Sequence, residues 1–217
     1  MRTRRGTGRA PNAVRAIITL SSGLLVGHPA TLLAQTCPDW SPERQAFFGD
    51  VHVHSALSFD AYAFEGRNGP RDAYRFARGE PIGLPPLDAQ GDPTRSLQLR
   101  RALDFAAVTD HAEMLGETRL CTAGGLQTPA CDAIRNGEFG LSALYFGDQF
   151  RSEDPMRRDF CGADGALCLA VASNVWADIV AAADEFDESA GGCGFTAFAG
   201  YEWTASPGST LHRNVLF

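Results

Sequence analysis

The stretch "AFFGDVHVH", residues 46–54, decides the fold class of this chain. Its phenylalanines and valines supply the apolar and β-branched bulk that is typical of a buried strand. Side chains two residues apart on a strand point to the same face, so His52 and His54 are predicted to project together. Two such imidazoles can clamp a divalent metal, although an isolated pair is more often part of a core or an accident of the surface.

The segments after this strand alternate between helical and strand patterns. Residues 69–80, "GPRDAYRFARGE", predict a short helix, with Pro70 at its first position and Gly79 at its C-terminal end. Residues 80–96 are dense in Pro, Gly and Asp and predict a loop. Residues 103–111, "LDFAAVTDH", form a continuous apolar run that ends on charged residues, as buried parallel strands do.

The second half of the chain is less regular. Residues 112–172 lack a strong period and hold four cysteines, which predicts an insertion stapled by disulfides. Ser173 is expected to cap a helix that reaches about Phe186, followed by strands at 195–204 and 211–217 around the turn 206–210. The order β, α, β, insertion, α, β, β favours an α/β fold with parallel strands. Because the chain stops inside an apolar run, we expect it to be the N-terminal part of a longer protein.

The first 36 residues predict a secretory signal peptide. Five arginines precede an apolar run at 16–26, and small residues follow up to about Ala34. A membrane span is less favoured because polar residues interrupt the run, which is shorter than the roughly 18 residues that a span needs. The two expected parts are therefore a leader at 1–36 and a mature domain at 37–217, which is periplasmic or secreted and has no stable membrane anchor after cleavage.

The charge of the mature domain argues against nucleic acid as a partner. Loss of the five leader arginines would leave 14 basic residues against 26 acidic ones and shift the formal charge from −7 to −12. Such a surface repels phosphate backbones unless bound metal supplies a positive field.

All six cysteines follow the leader, and an even number in an exported chain favours disulfides over a zinc site. The absence of any Cys-x-x-Cys pattern supports this choice. Six cysteines allow fifteen pairings; close spacing suggests Cys121 with Cys131 and Cys161 with Cys168, which leaves Cys37 and Cys193.

The histidines of the mature chain all lie at predicted strand ends: His52, His54, His111 and His212. Ligands and catalytic groups converge at strand ends in parallel α/β folds. The nearby carboxylates of Asp60, Asp110 and Glu202 would complete a mixed donor set suited to Zn²⁺, Mn²⁺ or Fe²⁺. Taken singly, Asp60 and Glu202 are equally consistent with helix caps or salt-bridge partners.

Four motifs occur in the order "GDVHVHSALSFDAY", "LDFAAVTDHAE", "GYEW" and "LHRNV". Together they resemble the polymerase and histidinol phosphatase (PHP) superfamily of metal-dependent phosphoesterases, and within it an exported branch labelled as a domain of unknown function. The resemblance covers about residues 47–217. It implies a distorted (β/α)7 barrel, incomplete in this chain, with two or three divalent metal ions at the C-terminal ends of the strands.

The resemblance also implies roles for particular residues. His52 and His54 would hold the first metal, and Glu202 would bridge it to a second. The remaining matches place His212 at the second metal and Asp60 and His111 at a third. Two acids would support these ligands, Asp110 by orienting His111 and Glu113 from just outside the ligand set. A further histidine and an Asp-x-His pair of the family have no match here.

Three functions are weighed on these grounds. The first is an exported hydrolase in which clustered cations activate water against a small-molecule phosphoester. The second is an amidohydrolase-like enzyme acting on a carbon-centred bond; those barrels usually add a metal-bridging lysine, and this chain contains no lysine. The third is a non-catalytic metal-binding fragment.

Overall fold

A computed structural model of the chain describes residues 37, 41–151, 157–189, 193–205 and 211–217, with side chains omitted at 148–151. The predicted leader at 1–36 and the predicted turn at 206–210 lie outside these residues. The strands are β1 (Gly49–Val53), β2 (Ile82–Leu87), β3 (Pro93–Leu97), β4 (Phe105–Val108), β5 (Thr196–Ala205) and β6 (Leu211–Leu216). The helices are α1 (Phe59–Ala63), α2 (Pro70–Ala77), α3 (Leu115–Thr122), α4 (Pro129–Arg135), α5 (Phe139–Arg151) and α6 (Ala166–Phe186).

The main sheet has four strands in the order β1-β4-β5-β6. Strands β1, β4 and β5 run parallel, and β6 returns antiparallel beside β5. The sheet curls into a half-barrel, and the Asn214 side chain of β6 donates a hydrogen bond to the Val51 carbonyl of β1 across it. The expected α/β class with parallel strands is confirmed at this level.

The core that supports the sheet lies under α2 and α6. Tyr74 is fully buried there, packs with Phe186 and donates a hydrogen bond from its hydroxyl to the Phe198 carbonyl, at 2.9 Å. Pro70 begins α2 as predicted, because its missing N–H costs nothing in the first turn of a helix. This packing fixes the strands whose far ends carry the candidate site.

Residues 80–96 do not form the predicted loop. They form an antiparallel hairpin, β2 with β3, outside the main sheet. The Asp88 side chain accepts the backbone N–H groups of Gln90 and Asp92 and thereby closes the turn. The register shifts between Leu84 and Leu87, where two prolines lack the N–H that a continuous ladder needs. The high content of Pro, Gly and Asp correctly indicated the turn but gave no indication of the two strands.

Helix α6 begins at Ala166, seven residues before the predicted cap at Ser173. The prediction was wrong because tertiary contacts extend the helix: Cys168 is bonded to Cys161, and its carbonyl lies against Gly116 of α3. By length and composition alone, residues 163–186 are apolar enough to cross a membrane. The buried members of α6, among them Val175, Ile179 and Ala182, form one face that packs against the rest of the domain.

The disulfides join Cys37 to Cys193, Cys121 to Cys131 and Cys161 to Cys168, which confirms the pairing suggested by spacing. The last two staple the region 112–172, as predicted, although its helices α3, α4 and α5 were not foreseen. Three disulfides fit an extracellular or periplasmic location.

Candidate metal centre

The six predicted metal ligands meet at one end of the curled sheet. They form three overlapping groups, each with donor atoms within 4.8 Å of one another: His52, His54 and Glu202; His54, Asp60 and His111; and His111, Glu202 and His212. Each group combines imidazole with carboxylate, a donor set that can hold a divalent cation.

Strand geometry brings His52 and His54 together as predicted. Both rings face Glu202 of β5, with Nε2 of His52 at 3.1 Å and Nε2 of His54 at 2.5 Å from Oε2. The register between β1 and β4 shifts between Asp50 and Val53, so the end of β1 departs from a regular ladder at this point. The period of two nevertheless holds across His52 and His54.

Cross-strand pairing brings the remaining two histidines to the same carboxylate. His111 forms an isolated parallel bridge with Glu202 just beyond the end of β4. His212 lies opposite Thr204 in the β5–β6 ladder, and its Nδ1 is 2.5 Å from Oε1 of Glu202. The two oxygens of Glu202 therefore face different histidines, Oε2 toward His52 and His54 and Oε1 toward His212.

The side chains of the centre differ in their exposure to solvent. The Glu202 side chain is only 3% exposed, whereas those of His52 and His212 are 58% and 39% exposed. A buried carboxylate thus lies beneath two imidazoles that solvent and small molecules can reach. This arrangement leaves the centre open on one side.

The charged groups of the centre shift one another's pKa values. Burial alone would lower the pKa of His54, but hydrogen bonds and the charges of Asp60 and Glu202 raise it to about 9. Burial opposes ionisation of both acids, yet the neighbouring histidines hold the pKa of Asp60 and that of Glu202 below their ordinary values. A divalent cation would compete with the proton on His54.

Asp60 lies in the first turn of α1 and contacts two histidines. Its carboxylate is 3.0 Å from Nδ1 of His54 and 3.7 Å from Nε2 of His111. The shorter contact is the one by which a carboxylate orients a ligating imidazole. Asp60 can therefore serve either as a metal ligand or as the group that fixes the His54 ring.

Asp110, which was predicted to orient His111, binds Ser55 just after the end of β1. Its carboxylate is fully buried and accepts hydrogen bonds from the backbone N–H and the hydroxyl of Ser55, at 2.6 and 2.8 Å. Burial raises the pKa of Asp110 to about 6 despite these bonds. The orienting role toward His111 stays a prediction. Asp110 fixes the loop that follows His54.

Glu113 lies just outside the ligands, where it was predicted. One of its oxygens accepts the backbone N–H of Thr204, and the other, Oε2, is 3.6 Å from Nδ1 of His111. That second oxygen is buried and has no hydrogen-bond partner among the residues described here. Glu113 thus links the ligand-bearing segment after β4 to β5.

Two polar residues of the centre were missed by the sequence reasoning. The buried Ser58 hydroxyl accepts the backbone N–H of His111 and lies 3.4 Å from Nδ1 of His54. Thr204 presents its hydroxyl 3.1 Å from Nδ1 of His212. Thr204 is two residues after Glu202, so the period of two could have identified it; no pattern marked Ser58.

Comparison with known proteins places the chain in one family. A family model described as "Protein of unknown function (DUF3604)" matches residues 41–217. The chain belongs to the DUF3604 family. No curated protein and no solved structure matches it. The family match covers every residue of the candidate centre.

Proposed function

We propose that this DUF3604 domain is an exported, metal-dependent hydrolase that acts on a small-molecule phosphoester. The observation that carries the proposal is the position of Glu202, whose Oε2 faces His52 and His54 while its Oε1 faces His212. Such a carboxylate is suited to bridge two cations. The acidic surface makes nucleic acid an unfavourable partner, and the predicted leader is the proposed route of export.

The donors are sufficient for two cations without sharing an imidazole. His52, His54 and Glu202 supply one set, and His111, His212 and Glu202 supply the other. In that arrangement Asp60 remains free to hold the Nδ1 side of His54. A third cation would have to recruit Asp60 together with His54 or His111. We therefore propose two cations, Zn²⁺, Mn²⁺ or Fe²⁺, with a third bound more weakly.

Bound cations of this kind polarise a phosphoryl oxygen and lower the pKa of water toward neutrality. The protein residues have three tasks. Glu202 supplies negative charge from the floor of the centre, Asp60 and Glu113 set the orientation of the histidine rings, and the exposed His52 and His212 leave room for the substrate at the rim. The finer fold assignment, a PHP-type barrel that this chain only partly forms, is part of the same proposal.

The test measures metal content and hydrolysis together. The purified chain is dialysed against Zn²⁺ or Mn²⁺, its metals are counted by elemental analysis, and release of phosphate from an aryl phosphate is followed with and without chelator. We expect metal-dependent release that is lost in His54→Ala. The matched control is Arg213→Ala, because Arg213 adjoins His212 on β6 but is exposed and contributes no donor to the three groups.

Each outcome bears on a separate part of the proposal. Fewer than one metal ion per chain would refute both enzyme functions. Hydrolysis of an aryl ester or amide in place of the phosphate would favour the amidohydrolase-like alternative. Bound metal without hydrolysis of either substrate would favour a metal-binding domain, and full activity in His54→Ala would show that the site is misassigned.

A further inference from the structure

A second cluster of chemistry lies apart from the histidines, where Glu117 of α3 meets the disulfide between Cys161 and Cys168. Glu117 is fully buried, and its Oε1 accepts a hydrogen bond from Nη1 of Arg157 at 2.6 Å. The same oxygen lies 3.5 Å from Sγ of Cys161, which has no proton to donate while it is in a disulfide. Oε2 is buried without a hydrogen-bond partner among the described residues. The carboxylate is therefore only half satisfied.

Tight helix packing fixes this contact. At Gly116, the residue before Glu117, an added Cβ atom would come within 2.0 Å of the Cys168 carbonyl oxygen. Only glycine lets α3 approach α6 this closely. This approach of the two helix backbones brings the turn that carries Glu117 beside the residue that carries one of the two sulfurs.

The three side chains supply a donor set distinct from that of the histidine centre. A carboxylate oxygen of Glu117 and the Sγ atoms of Cys161 and Cys168 lie within 4.8 Å of one another. In the disulfide, the sulfurs are bonded to each other and offer no thiolate. Two thiolates and a carboxylate would form a site for a thiophilic cation such as Zn²⁺.

We propose that Glu117, Cys161 and Cys168 form a redox-gated Zn²⁺ site, which is closed while the disulfide is intact and opens when a dithiol reductant cleaves it. The reductant gives two electrons and two protons, the bond between the two sulfurs breaks, and the reductant itself becomes a disulfide. Zn²⁺ then displaces the two thiol protons and takes Oε2 of Glu117 as its third protein ligand. The guanidinium of Arg157, which is bonded to Oε1 of Glu117, supplies positive charge beside the site.

The loop inside this disulfide provides the route for the reductant. Both sulfurs are buried, but Gly162 and Asp164 between them are exposed. Three residues of the loop have positive φ: Gly162 at 77°, Asp164 at 53° and Gly165 at 71°. Because the turn itself is exposed between Gly162 and Asp164, we expect its local opening to admit the reductant without unfolding the sheet.

The disulfide between Cys121 and Cys131 is the matched control. It is equally buried and also lies within the stapled region. Among the residues that the structure covers, no carboxylate or imidazole joins its sulfurs in a group of three donors. Reduction of this disulfide should therefore yield two thiols without a third ligand.

The experiment uses Co²⁺ as a spectroscopic substitute for Zn²⁺. The chain is reduced anaerobically with dithiothreitol, desalted and titrated with Co²⁺, and the near-ultraviolet thiolate-to-cobalt charge-transfer band is recorded. The histidine centre contains no sulfur and gives no such band. We expect one thiolate-bound Co²⁺ per chain in the wild type and in Cys121→Ser/Cys131→Ser, and none in Cys161→Ser/Cys168→Ser. Glu117→Gln should weaken binding at least about tenfold.

Three results would overturn the proposal: no charge-transfer band after reduction, the same band in Cys161→Ser/Cys168→Ser, or unchanged affinity in Glu117→Gln. If the role of Glu117 is purely structural, its substitution will lower the Tm of the oxidised protein without changing the affinity for Co²⁺. If reduction unfolds the chain, Zn²⁺ must restore cooperative melting in the wild type but not in Cys161→Ser/Cys168→Ser. Failure to do so would also refute the site.

Discussion

Replacing Glu202 by glutamine tests the bridge on which the proposed function depends. Glutamine keeps the shape of the side chain but removes its charge and one of its two acceptor oxygens. This carboxylate lies 2.5 Å from Nε2 of His54 and 2.5 Å from Nδ1 of His212. The substitution therefore removes the group common to both proposed cation sites and leaves the histidines in place.

The size of the effect follows from which donor groups use Glu202. Two of the three groups contain it, and the group of His54, Asp60 and His111 does not. Loss of a hydrogen-bond partner of a metal ligand costs up to about 100-fold in affinity, and loss of a shared ligand should cost at least as much. A 100-fold loss is about 2.8 kcal/mol for each affected cation. We expect Glu202→Gln to bind at most one cation, at the group that retains all its donors.

Equilibrium dialysis against a series of free Zn²⁺ concentrations, followed by elemental analysis, measures this loss directly. The control is Glu185→Gln, which removes a half-exposed carboxylate paired with Arg71 on the surface. It should leave the stoichiometry unchanged and alter stability by no more than about 1 kcal/mol. If Glu202→Gln retains the wild-type number of Zn²⁺ ions at the same free concentration, Glu202 is not the bridge and the proposed centre is incorrect.

Three further predictions address the charges and packing of the domain. Asp60→Asn should lower the pKa of His54 from about 9 toward its ordinary 6.5, because it removes a hydrogen bond and a negative charge. An NMR titration of the metal-free protein measures this pKa. An unchanged value would show that Asp60 does not raise the pKa of His54. Chelation should lower the Tm, and Zn²⁺ at about 100 times its Kd should restore about 2.7 kcal/mol of stability for each bound cation in the wild type. A response of the same total size in Glu202→Gln would argue against the assignment. Tyr74→Phe should cost about 1–3 kcal/mol in urea unfolding, because the Phe198 carbonyl loses its buried donor. Burial raises the pKa of Tyr74 to about 12, so the wild type should lose stability as the pH rises from 10 toward 12, and Tyr74→Phe should lack that contribution.

Sequence reasoning succeeded where the deciding interactions are local. The strand at β1 and the common face of His52 and His54 follow from a period of two that any extended segment obeys. The pairs Cys121–Cys131 and Cys161–Cys168 are separated by only 10 and 7 residues, so short connecting segments keep the partners close. The polar end of β4 likewise marked the edge of the sheet where His111 lies.

Sequence reasoning did not identify contacts between segments that are distant in the chain. The hairpin depends on pairing between β2 and β3, which the prolines in these segments gave no reason to expect. The start of α6 depends on packing against Gly116. Asp110 adjoins His111 in sequence but binds Ser55, which is 55 residues away along the chain. Neither periodicity nor composition reports which distant segment will lie opposite a given side chain.

The amino-acid sequence by itself determined which residues carry the donor atoms and which of them share a strand face, because backbone geometry sets those relations over a few residues. Only the tertiary structure decided that one oxygen of Glu202 faces His52 and His54 while the other faces His212. It also decided that Glu117 lies against a disulfide. Those positions follow from the curl of the sheet and from the approach of α3 to α6, which are properties of packed surfaces far apart in the chain.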